Sequence, residues 1–272
     1  MTLPPSSPAP AEIVLRASGL SRSFRGLQAL ADYHLSLEAG IILGVIGPNG
    51  AGKTTLFNVI TGFIKPTAGS ISFRTHDITG AAPDDIVRIG IARTFQNIRL
   101  FQGMTVLDNV LTAQQVRHPL SLVETLLSVP SFFRNERTMR ARAMDHLESL
   151  GLAQYANQPA TSLAYGLQRK MEIARALATG PAILLLDEPA AGMNHQETAE
   201  LTGFIREIRE HHDLTVVVVE HDMSLIMRLC DRIQVLNYGR IIAEGTPTEI
   251  RTNPAVIEAH LGSDDDESVE AS

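Results

Sequence analysis

Apolar residues along this chain follow two different periods, and the switch between them marks out its elements. Ile13 to Ala17 and Leu30 to Leu37 read as strands; in the second, Leu35 and Leu37 alternate with polar neighbours. The run IILGVIG, ending at Gly47, leads into a glycine-rich turn and a helix-like stretch from Thr54 to Thr61. GSISF (69–73) and GIARTF (90–95) predict further strands. From Thr105 to about Leu152 the spacing becomes three and four, as in Met144, Leu147 and Leu150, with Arg and Glu between. That stretch predicts a mainly helical insert. Beyond Leu163 the alternation returns: a helix over about Gln168–Ala178, the strand AILLLD, and a polar helix over roughly His195–His211. The strand TVVVVEH follows, then two strands around Tyr238-Gly239 and a final helix. Ile183 to Leu186 and Val216 to Val219 are apolar throughout, which predicts strands covered on both faces. The expected class is α/β, with no solenoid-type repeat.

Composition narrows the setting. No apolar stretch approaches the ~20 residues that span a bilayer, so any membrane role needs other chains for the spanning helices. Cys230 is the single cysteine, which excludes a disulfide within the chain and favours a reducing compartment. Its setting, LCDRIQVL, suits a small core residue. Residues 1–11 are rich in Pro, Ser and Ala, with neither a basic start nor an apolar core, and are expected to form a disordered leader rather than a signal peptide. The net charge is −7, but five acids lie within residues 263–272, an expected solvated tail, so the body is closer to neutral. Nothing resembles a basic nucleic-acid footprint.

The chemistry starts at Gly47-Pro48-Asn49-Gly50-Ala51-Gly52-Lys53-Thr54, a P-loop pattern lying after a predicted strand and before a predicted helix. Glycines there let backbone N–H groups turn inward around a phosphate chain, and the helix N-terminus adds partial positive charge. Lys53 can reach terminal phosphates and Thr54 can ligate Mg²⁺; a glycine-rich turn with a chance lysine is the bland alternative. The strand at Ile183–Leu186 ends in Asp187-Glu188-Pro189. An acid at the carboxyl end of a central strand lies near the crevice where nucleotides bind. Asp187 would hold Mg²⁺ through water, and Glu188 could polarise an attacking water. An acidic pair there can also be a merely solvated strand end.

These two motifs define a P-loop NTPase. Ser162-Leu163-Ala164-Tyr165-Gly166-Leu167-Gln168-Arg169 then lies about twenty residues before Asp187 and just ahead of a predicted helix. It resembles the signature sequence of the ABC ATPases, with Leu163, Ala164, Tyr165, Gly166 and Leu167 meeting the ATP of a partner subunit. The resemblance extends over nearly the whole chain after the leader. It implies a P-loop core with an N-terminal antiparallel β subdomain and a helical signature subdomain, within an ATP-binding domain over 12–262 whose helical part spans about 97–178. ATP binding then falls to Phe24, stacked on adenine, and to Gly47, Pro48, Asn49, Gly50, Ala51, Gly52, Lys53, Thr54 and Thr55. Glu188, His221 and Gln96 form the catalytic set. Thr54, Gln96 and Asp187 are the implied Mg²⁺ ligands. Ala191-Gly192-Met193-Asn194 stands where the family's D-loop lies.

Within the family, LTGFIKPTAGSI, RTFQNIRLFQGMTVLDNV, LAYG, DEPAAGMN, EHDMSLIM and NPAVIEAHLG resemble the branched-chain amino acid importers. Urea and short-chain amide importers are close to that branch. The implied assembly is a dimer with a second ABC ATPase chain, two permeases and a periplasmic binding protein, at the cytoplasmic face of the membrane. A soluble ABC ATPase acting on ribosomes or DNA is the rival class; it usually carries two cassettes or a long coiled coil, and neither is present here. Three positions depart from the family pattern. Ala164 replaces Ser and removes a hydroxyl, Leu167 replaces Gln at the expected dimer surface, and Asn194 replaces the D-loop Asp.

Overall fold

The computed structural model describes residues 12–117 and 130–259, with the backbone alone for 130–135. The expected leader and acidic tail lie outside those residues. In chain order the elements are β1 (Ile13–Phe24), β2 (Leu27–Glu38), β3 (Ile42–Ile46), α1 (Lys53–Ile60), β4 (Ala68–Phe73), β5 (His76–Asp77), α2 (Pro83–Ile89) and β6 (Ile91–Arg93). They continue as α3 (Val106–Gln114), α4 (Pro130–Ser149), α5 (Tyr165–Leu177), β7 (Ile183–Asp187), α6 (His195–His211) and β8 (Thr215–Val219). The last are α7 (Met223–Leu229), β9 (Arg232–Asn237), β10 (Arg240–Gly245) and α8 (Pro247–Arg251).

Two sheets result. A four-stranded antiparallel sheet runs β2-β1-β4-β5, and a six-stranded sheet runs β10-β9-β3-β8-β7-β6. In the larger sheet only β9 and β10 pair antiparallel; the other neighbours are parallel. Its central strands separate their side chains by period two. Ile42, Ile46, Leu184, Leu186, Val216 and Val218 join the apolar cluster that includes α3 to α7, whereas Leu43, Val45, Ile183, Leu185, Val217 and Val219 join the cluster shared with α1, α2 and the antiparallel sheet. Burial on both faces explains the unbroken apolar runs. The helical side has no core of its own: Val106, Val110, Ala143, Leu147 and Met171 continue the cluster under Leu184 and Val216.

The parallel strands β3, β7 and β8 all end on one side, and the P-loop, Asp187-Glu188 and Glu220-His221 follow those ends directly. Sheet topology therefore gathers residues that lie far apart in the chain, as the crevice rule for open parallel sheets requires.

Candidate active site

The P-loop leaves β3 through Gly47, whose φ of 151° brings it against the backbone of Leu236; an added Cβ would lie 2.1 Å from that carbonyl oxygen. Gly52, φ 106°, is the N-cap residue of α1 and is pressed against the carbonyl of Ala29, where a Cβ would come within 2.4 Å. Both positions thus demand glycine for close packing as well as for conformation. The loop is buttressed from outside. Gly239 N–H donates to Ala51 O at 2.9 Å, and Ala31 N–H donates to Gly239 O at 2.8 Å, so β2 and the Tyr238-Gly239 turn hold it. Lys53 is buried, and its ammonium donates to the carbonyls of Gly47 at 2.6 Å and Pro48 at 2.9 Å. Burial lowers its pKa, opposed by the carboxylates of Glu188, Asp187 and Glu220. Thr54 and Thr55 stand in the first turn of α1 with Thr54 exposed.

The Asp187 carboxylate is not simply an acid at a strand end. Its Oδ2 accepts from Arg93 Nη2 at 2.6 Å, with both side chains buried, and Arg93 also donates to Asn58 Oδ1 at 2.8 Å. Strand β6 thereby fixes the carboxylate's orientation. Glu188 follows with φ 43°, a left-handed conformation uncommon outside glycine and found disproportionately at functional sites. Its N–H donates to Val219 O at 2.9 Å, which holds the turn against β8.

Gln96, Glu188 and His221 come together. Gln96 Nε2 donates to Glu188 Oε2 at 2.7 Å, and His221 Nδ1 lies 3.8 Å from the same oxygen. Glu220, buried beneath them, accepts from Ala190 N–H at 2.9 Å and His221 N–H at 3.2 Å. Burial pushes its carboxyl upward, against those hydrogen bonds and the neighbouring imidazole. A cavity of about 440 Å³ opens over this group, lined by Gln96, Glu188, Gly192, Asn194, Glu220 and His221.

The signature stretch straddles the start of α5. Leu163 is buried, Ala164 is exposed at the N-cap and Tyr165 opens the helix. Tyr165 Oη donates to Ala191 O at 2.9 Å, tying the motif to the turn after Glu188. A Cβ on Gly166 would meet only Glu197, at 3.8 Å and beyond, so nothing in the chain's own packing requires glycine there. Leu167 is half-buried against the core rather than fully outward. Asn194 caps α6: its Oδ1 accepts from the N–H groups of Gln196 and Glu197, and Glu197 returns the bond to its N–H. Phe24 ends β1 exposed, with the Arg22 guanidinium 4.5 Å from its ring centroid. Its hairpin partner β2 is the strand that touches Gly52.

Sequence reasoning missed Arg93, Glu220, the pair Arg169–Glu172 and the Tyr238-Gly239 buttress. The one signal for any of them was Arg169 and Glu172, opposite charges three apart on an otherwise apolar helix face.

Comparison with known proteins identifies the family. A family model described as "ABC transporter" matches residues 30–191, and one described as "Branched-chain amino acid ATP-binding cassette transporter" matches 240–266. The high-affinity branched-chain amino acid transport ATP-binding protein LivG of Salmonella typhimurium is 49% identical over 249 residues, covering 92% of this chain and 98% of the relative. The ADP conformation of MJ1267, an ATP-binding cassette of an ABC transporter, superposes with a TM-score of 0.80 at 32% identity, over 92% of this chain and 99% of that one. A dimeric post-hydrolysis state of the cassette MJ0796, bound to ADP and phosphate, gives 0.71 at 25% identity, over 86% and 98%. Because the family model spans more than half of the chain and a transport ATPase is 49% identical to it over 92% of its length, this chain belongs to the ABC transporter family as one of its nucleotide-binding, ATP-hydrolysing cassettes.

Proposed function

We propose that this cassette energises uptake of branched-chain or closely related amino acids, as half of a head-to-tail ATPase dimer bound to two permease subunits at the cytoplasmic face of the membrane. A periplasmic binding protein delivers the substrate. The observation that carries the catalytic part is the convergence of Gln96 and His221 on the Glu188 carboxylate. The import reading is supported by the similarity to LivG and by the match at residues 240–266.

The roles follow from chemistry and position. The P-loop amides and Lys53 bind the β- and γ-phosphates; on binding, Lys53 exchanges the carbonyls of Gly47 and Pro48 for phosphate oxygens, a stronger charge-assisted contact. Phe24 stacks on adenine at the mouth of the hairpin. Thr54, Asp187 and Gln96 supply hard oxygen donors, a set that suits Mg²⁺ because that ion takes few protein ligands and keeps phosphates and waters. When bound, the ion neutralises charge on the phosphate chain. Glu188, freed from Gln96, orients and deprotonates the attacking water. His221 donates to the γ-phosphate and steadies Glu188. The signature of one subunit closes on the nucleotide of the other. Gly166 fits that role, since a side chain there would stand over the α5 N-terminus that a phosphate must approach, and the Glu197 side chain comes no nearer than 3.8 Å to a Cβ at that position. The described residues within about 97–178 belong to the helical subdomain that receives the permease.

Glu188→Gln tests the catalytic part. The amide preserves shape but accepts protons poorly, so turnover should fall by at least about a hundredfold while nucleotide affinity stays within a few-fold. Wild-type turnover would remove Glu188 from the role. Substrate class is tested on the transporter reconstituted in vesicles. ATPase stimulation by a binding protein loaded with leucine, isoleucine or valine supports the reading; stimulation only by one loaded with urea or an amide overturns it.

A further inference from the structure

Arg169, in the first turns of α5, has the largest side chain among the fully buried residues, and Glu172 one turn later is 1% exposed. Together they grip the segment that carries Gln96. Arg169 donates from Nη1 to Phe95 O at 2.8 Å, from Nη2 to Gln96 O at 2.7 Å, and from Nη1 to Glu172 Oε2 at 2.8 Å. The other oxygen, Glu172 Oε1, accepts from Arg99 N–H at 3.1 Å. Both ends of 95–99 are therefore bonded to one helix. At the near end the Phe95 ring lies edge-on to Phe63 at 5.9 Å, with the Arg99 guanidinium 4.2 Å from its centroid.

Stability alone does not call for this arrangement. A buried ion pair is commonly no more stable than an apolar pair of similar volume, and Arg169 Nε is buried here without a hydrogen-bond partner. What the charges provide, and apolar side chains could not, is a directional hold on two carbonyls and one N–H of a loop. From Gln96 the contacts run on to Glu188.

We propose that Arg169 and Glu172 are positioning residues: by locking residues 95–99 to α5 they set where the Gln96 side chain meets the Glu188 carboxylate. This rests on the hydrolytic roles given above to Gln96 and Glu188.

The test uses the full chain assembled with its permeases. The double variant Arg169→Met/Glu172→Met replaces the clamp with an apolar pair. It should bind ATP within about threefold of wild type and keep a similar KM, while kcat falls about tenfold or more. In hydrogen exchange, amides of 95–101 should lose their ATP-induced protection while those of 165–177 keep theirs. Glu172→Gln retains an acceptor for Arg99 N–H and should recover kcat to within about threefold. Wild-type kcat and wild-type exchange at 95–101 in the double variant overturn the proposal. A second measurement needs no substitution: in the parent chain, 95–101 and 165–177 should gain protection at the same ATP concentration, and separate midpoints overturn the lock. Absence of ATP binding or turnover in the parent chain would instead sink the function on which the inference rests.

Discussion

Lys53 donates to two carbonyls of its own loop, those of Gly47 and Pro48, which a phosphate would replace under the proposed function. Burial lowers its pKa, and the carboxylates of Glu188, Asp187 and Glu220 oppose that shift. Lys53→Ala removes charge-assisted bonds of about 1.5–3 kcal/mol each, so ATP affinity should fall by about tenfold to a hundredfold or more. Equilibrium binding of a labelled nucleotide measures this, and an unchanged dissociation constant would count against the loop as the phosphate site. Lys53, Thr54, Asp187 and Glu188 were legible because spacing within a short segment defines them. Arg93 and Glu220 were not, since each finds its partner far away: Arg93 meets Asp187 across 94 positions, and Glu220 meets Ala190 across 30. Cys230 was legible from its apolar neighbours. It is buried, with a thiol pushed far above its ordinary range by that burial.

At the level of elements, α6 ran over His195–His211 as expected, because the polar face and the cap are both local signals. The cap gives Asn194 a role that the Asp implied there by the family resemblance would also fill, since either side chain accepts from the first free N–H groups. Asn194→Ala should cost about 0.5–2 kcal/mol, a drop of a few degrees in melting temperature at about 2–4 °C per kcal/mol for a chain of this size. Asn194→Asp should be close to neutral. Thermal unfolding followed by circular dichroism decides it; equal melting temperatures for Asn194→Ala and the parent would show that the cap contributes nothing. Strand β1 runs to Phe24 rather than ending near Ala17. Its second half is rich in Ser and Arg and is held by pairing with β2 through several register shifts, so alternation is lost where the bulges occur. Helix α5 begins at Tyr165, three residues earlier than periodicity suggested, because polar and glycine positions of the signature hide its first turn.

For the whole molecule, His146 joins the helical side to the rest. Its Nε2 bonds Ala174 O at 2.8 Å, and its ring lies 6.1 Å from that of His212. Burial lowers its pKa below the ordinary ~6.5, the Ala174 carbonyl opposes this and His212 adds to it. The unfolded chain therefore takes up the proton first. Stability from this group is complete above about pH 6.5 and is lost as pH falls toward the lower folded value. His146→Gln keeps a donor for Ala174 and cannot titrate. It should match the parent within about 1 kcal/mol at pH 8 and exceed it at pH 5; a difference that stays constant with pH would exclude His146 as the source. Sequence by itself determined the parallel core, the glycine-rich loop between β3 and α1 and the acidic strand end, because apolar period and motif spacing are properties of short segments. Only the tertiary structure decided that Arg93 holds Asp187, that Tyr238-Gly239 supports the loop and that Arg169 and Glu172 grip the Gln96 segment. Each of these is a bond between residues that sheet order and helix packing bring together, and no local pattern records which distant partner a buried charge will find.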